Sequence, residues 1–210
     1  MVYVVLVLVP IVLVFVAPVP PVEGRAVLEY IAAHQALYLA ELVCFVGLAV
    51  PALVVFTALA VAEWPVDKSI AALGGLFGIA SEIIALALGS SPQSLHGGLV
   101  VLSNAYVKAD ETRRAGLVSA ADALIAATNA VSWAGILTAA GILVLSLLMR
   151  RRGFGTAVAV LGVVAGALGI VSETLRPMIG AAYLVYGLLL PTWFALVGWK
   201  LLRLARRGTT

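Results

Sequence analysis

Long apolar runs separated by short polar stretches set the pattern of this chain. Residues 2–19, 36–62, 69–88, 117–149, 156–175 and 181–202 are apolar on nearly every face of a helix. The strict alternation of a half-buried strand is missing from them. A helix that is apolar all round lies in a large core or in lipid, and crossing a bilayer takes about 20 such residues. The pattern therefore predicts an all-α bundle of six transmembrane helices, one domain over residues 1–210. The first run is short, interrupted by Pro10 and closed by Pro18, Pro20 and Pro21, and it lacks the basic start of a signal peptide. Pro51 predicts a kink near the middle of the second span. The longest polar stretch, 89–116, contains an apolar piece, 97–107, that is too short to cross.

One stretch, 73–86, combines an apolar run with a carboxylate. Gly74, Gly78 and Glu82 follow one another at spacings of one helical turn and share a stripe. Small residues so spaced let another helix backbone approach closely in lipid, which turns Glu82 toward protein. The words recur: Gly78-Ile79-Ala80-Ser81-Glu82 returns as Gly169-Ile170-Val171-Ser172-Glu173, behind Gly162 and Gly166. This predicts that spans two and three, and spans four and five, are related hairpins. The third and fifth spans would then run parallel.

Composition agrees with lipid as the solvent. Hydrophobic residues make up 63% of the chain and charged ones 11%, against about 45–50% and about 25% in soluble domains. The net charge of +3 is read as a topology signal rather than as nucleic-acid binding. Of the 13 Lys and Arg, six spans put Lys68, Arg150, Arg151, Arg152, Lys200, Arg203, Arg206 and Arg207 on one side. Arg25, Lys108, Arg113, Arg114 and Arg176 fall on the other. The positive-inside rule then predicts a multi-pass protein of the cell membrane with both termini cytoplasmic. Cys44 is the single cysteine, so no intrachain disulfide can form.

The polar residues within the spans are the candidates for function. Glu41, Glu82, Asp122, Asn129 and Glu173 are expected to form a buried polar cluster toward the outer side, with His34 and His96 as candidate ligands nearby. A charge inside a span costs at least about 2.5–3.5 kcal/mol, so each needs a partner or a role. Asn129, Tyr38 and Ser81 are candidate hydrogen-bond partners for Glu82. Carboxylates and imidazoles suit a metal, yet no ExxH, HxxxH or HExxH spacing joins them, so no metal site or cofactor is implied. Neither a nucleophile elbow nor a phosphate-cradling glycine loop is present. Packing stripes without catalytic motifs favour a non-enzymatic membrane subunit or scaffold. Its partners would be the bilayer and other membrane proteins or further copies of the chain. A small transporter or proton- or cation-conducting protein using the carboxylates is the alternative, and a cofactor-binding subunit of a membrane enzyme is the third.

Two regions also resemble a known family. Pro51 with its apolar run, Val66-Asp67-Lys68-Ser69-Ile70-Ala71-Ala72-Leu73 and 79–84 carry the first match. Arg152-Gly153-Phe154, Gly162-Val163-Val164-Ala165-Gly166, Pro191-Thr192-Trp193 and Val197-Gly198-Trp199-Lys200-Leu201-Leu202 carry the second. In these the chain is similar to a family of uncharacterised six-span bacterial and archaeal integral membrane proteins, domain of unknown function forty-three eighty-six. The resemblance implies a six-helix architecture, and it implies no activity and no site residues.

Orientation is directly testable. In a Cys44→Ala background, Lys108→Cys should react with an impermeant thiol reagent in intact cells and Arg151→Cys should not. The reverse labelling would invert the predicted topology.

Overall fold

In the computed structural model, which describes residues 5, 6, 9, 19–88, 95–151, 153–179 and 182–207, the apolar runs are helices and no described residue is in a strand. In chain order they are α1 (Gly24–Gly47), α2 (Ala49–Glu63), α3 (Lys68–Leu88), α4 (Gly97–Lys108) and α5 (Glu111–Val131). A 3-10 turn (Ser132–Ala134) leads to α6 (Gly135–Met149), α7 (Thr156–Thr174), the single turn α8 (Arg176–Ile179) and α9 (Tyr183–Arg207). Five stretches among the described residues are long and apolar enough to cross a membrane, the first of them Gly24–Glu63. The protein is an all-α membrane helix bundle. The predicted first span, 2–19, lies mostly outside the described residues.

Two of the five stretches are far longer than a bilayer needs, at 40 residues for Gly24–Glu63 and 39 for Glu111–Met149. Both are interrupted. The first breaks at Leu48, because Pro51 cannot donate a hydrogen bond to the carbonyl of Gly47 and its ring crowds that carbonyl. Leu48 keeps helical dihedrals, so the interruption is the kink that Pro51 predicts, and Pro51 sits in the first turn beyond it, where proline is tolerated. The second breaks at the 3-10 turn, bracketed by Ser132 and Gly135, a composition common at helix breaks. The sequence pattern gave one uninterrupted helix there, since every residue of the break is compatible with an apolar span.

The helices pack as two compact units, and the chain passes from one to the other at both of these breaks and also within α3, after Ile84. One unit is formed from Ala49–Ile84 and Trp133–Thr210, the other from Leu6–Leu48 and Ala85–Ser132.

In the first unit, α6 is the helix that others pack upon. The side chain that Gly141 lacks would stand 2.8 Å from the Gly78 amide nitrogen and 3.0 Å from the Gly74 carbonyl oxygen. Backbone therefore meets backbone between α3 and α6. On another face of α6, a Cβ on Gly166 would stand 2.7 Å from the Leu143 nitrogen and 2.8 Å from the Ala139 oxygen. Gly162 lies against Ser146 and Trp193, and Gly169 against Ala139 and Tyr186. Apolar solvent offers no hydrophobic drive for such contacts, so close backbone approach and dispersion supply the attraction. The outward residues are large and apolar instead: Val54, Leu76, Ile83, Leu147 and Val160 are all exposed. Small residues inside and aliphatic ones outside suit a surface that meets acyl chains.

The second unit has a different make-up. Val27, Leu28, Ile31, Tyr38, Leu95, Leu99, Ala121 and Ile125 form a core shared by α1, α4 and α5. The apolar piece predicted at 97–107 is α4, begun by the His96 side chain, whose Nδ1 accepts a 2.9 Å bond from the Gly98 amide. Tyr38, fully buried, fixes the same start, accepting from the His96 amide at 2.9 Å. The exposed positions of α5 include Arg113, Arg114, Ser119, Asp122 and Asn129 among alanines.

Candidate functional site

The first turns of α6 gather the two repeated carboxylates. Glu82, on α3, is 8% exposed and Glu173, at the end of α7, is 5% exposed. Each stands one helical turn beyond a glycine that lies against a neighbouring helix, Gly78 and Gly169 respectively. The glycine stripes thus lead each carboxylate to the start of α6. Thr138 Oγ1 lies 3.3 Å from Glu82 Oε1 and also bonds Ser81 Oγ. Ser81 Oγ donates at 2.7 Å to the carbonyl of Ala134, a group released by the 3-10 turn. One helical turn before Thr138, Gly135 has no side chain because the Glu173 carboxyl carbon is 2.7 Å from where a Cβ would stand. Glu173 Oε1 accepts a 2.6 Å bond from Tyr183, and its Oε2 is 3.6 Å from Arg176. The Arg176 guanidinium in turn lies 5.1 Å from the Tyr183 ring centroid.

Three oxygen–oxygen contacts join Glu82, Thr138, Ser81 and the Ala134 carbonyl. Thr138 donates to Glu82 Oε1 and Ser81 donates to the Ala134 carbonyl, so the two hydroxyls tie the carboxyl to the group freed at the break.

The other predicted site residues sit elsewhere. Glu41 is buried in the second unit, and its Oε2 has no hydrogen-bond partner among the described residues. Asp122 and Asn129 are not buried: both lie on the exposed face of α5. Asp122 nevertheless has a structural task. Its Oδ1 accepts a 2.7 Å bond from the Gly24 amide, capping α1, whose own Glu23 makes no side-chain cap. His34 is exposed at a kink in α1 and stacks on Tyr30, with ring centroids 4.9 Å apart. His96 is engaged as a helix cap. Among the described residues no three His, Cys, Asp or Glu side chains are grouped to hold a metal ion.

Of the partners predicted for Glu82, Ser81 belongs to its network through Thr138, while Tyr38 bonds His96. Sequence reading missed Thr138 and Tyr183. A lone hydroxyl within the apolar word Gly135-Ile136-Leu137-Thr138 was the available signal for the first. Tyr183, in a run of apolar residues, gave none.

Family models, curated proteins and solved structures were compared with the chain, and none of the three yields a match.

The network makes Thr138 the residue to test. Thr138→Val removes the hydroxyl yet keeps the shape, so it should cost about 1–2 kcal/mol, read as a lower midpoint of thermal unfolding in mild detergent. Thr138→Ser should recover most of that loss. Equal midpoints for Thr138→Val and the wild type would show that the network contributes nothing.

Proposed function

We propose that this protein is a non-enzymatic subunit or scaffold of the cell membrane, with both termini cytoplasmic. In this reading Glu82 and Glu173 hold three helices together at a break rather than carry ions. The observation that supports it is the engagement of both carboxyls within the chain: Glu82 with Thr138, and Glu173 with Tyr183 and Arg176. A scaffold needs a fixed shape in lipid. Polar groups that find partners inside the bundle give it one, because leaving them unpaired in an apolar medium costs several kcal/mol. The expected partners are lipid and other membrane proteins or further copies of the chain.

A proton or cation path is the second reading, favoured by one observation. The two carboxyls approach successive turns of one helix start, at Gly135 and at Thr138. Carboxylates so placed within a membrane are a common element of proton relays.

Proteoliposomes loaded with a pH-sensitive dye separate the two. The structural reading expects no flux above protein-free vesicles under an imposed proton or cation gradient. It also expects Glu82→Gln to fold with an unchanged unfolding midpoint, since the amide oxygen can accept from Thr138 as Glu82 Oε1 does. Flux in the wild type that Glu82→Gln abolishes, with folding intact, would overturn the scaffold reading.

A further inference from the structure

We infer that the end of the first unit built from the α6–α7 turn and the last turns of α9 binds the headgroup of an anionic phospholipid. Arg150 and Arg151 follow α6 directly and are exposed. The chain then reverses through Gly153 at φ 51° and Gly155 at φ 88°, left-handed conformations that glycine adopts without steric cost. Between them Phe154 is buried and pins the turn to the bundle. The turn lands on α9. Leu204 Cδ2 is 3.4 Å from where a Cβ on Gly153 would stand, and Lys200 Nζ is 3.9 Å from the corresponding point on Gly155. The turn that follows Arg150 and Arg151 thus lies against α9 at Lys200 and Leu204.

The setting of these cations is interfacial. Arg203 Cζ lies 3.7 Å from the Trp199 ring centroid and Lys200 Nζ 5.9 Å from it. Trp199 is 43% exposed, and Leu202, one helical turn or less away, is exposed too. A half-exposed tryptophan under cations, bordered by aliphatic side chains, fits the headgroup level of a bilayer. Asp67, near this end, caps α3: its Oδ1 accepts from the Ile70 amide. Guanidinium groups suit phosphate oxygens, and basic pockets between spanning helices take anionic headgroups. Favourable placement at helix C-termini explains single cations there. It does not explain a turn preceded by two arginines that is held against a helix whose own cations lie over an aromatic ring.

The test is native mass spectrometry of the full chain in mild detergent with phosphatidylglycerol and phosphatidylcholine in competition. The wild type should retain phosphatidylglycerol about tenfold in preference. Lys200→Gln with Arg203→Gln should bring that preference close to parity, while Arg113→Gln, on α5, should leave it unchanged. Trp199→Leu keeps every charge and should weaken retention through loss of the platform alone. Equal retention of the two lipids by the wild type would overturn the inference without recourse to any variant. So would a preference that survives the double substitution. Displacement of the bound lipid by excess inorganic phosphate would show that a free anion, not a lipid headgroup, is the ligand.

Discussion

Close approach of backbones across α6 is the constraint on which the first unit depends. In water, burial of large side chains would hold such a bundle together. In lipid the same side chains are equally well solvated outside, so packing density and polar contacts must decide. Gly74 and Gly78 bring α3 onto one face of α6 at Gly141, and Gly166 and Gly169 bring α7 onto another at Ala139 and Leu143. Every other feature of this unit is arranged around that sandwich.

The recurrence of a five-residue word, with Ala80 replaced by Val171, gains a physical meaning from it. In both copies a glycine that permits close approach is followed one turn later by a glutamate. Both glutamates consequently reach the same helix, at its first turns, where a 3-10 break has released the Ala134 carbonyl. The break creates polar groups that need partners, and the repeat delivers side chains able to provide them. Arg176 and Tyr183 complete the arrangement on the α7 side.

Much of this was legible in the sequence, for reasons that differ by element. The apolar runs at 69–88 and 156–175 correspond to α3 and α7 almost to the residue, because charged or turn-forming residues bound them on both sides. Glu82 and Glu173 could be placed facing protein from local periodicity alone. Asp122 could not. Its helix carries alanine on all sides, so no stripe distinguishes an inward from an outward position, and it lies exposed as a cap on another helix. The interruption at Leu48 was signalled by Pro51, whereas the 3-10 turn was hidden, since hydropathy averages over it. Thr138 and Tyr183 were missed because a hydrogen-bond partner is chosen by tertiary packing, which no spacing along one helix reveals.

Cross-linking tests the sandwich most directly. Leu145 Cγ stands 2.7 Å from where a Cβ on Gly74 would be, which brings the two Cβ positions within reach of a disulfide. With Cys44 replaced by alanine, Gly74→Cys and Leu145→Cys should form a bridge on mild oxidation, found by mass spectrometry of non-reduced peptides. Gly74→Cys with Leu147→Cys, an exposed position on the same helix, should not. Failure of the first pair, or equal bridging by both, would contradict the packing of α3 on α6.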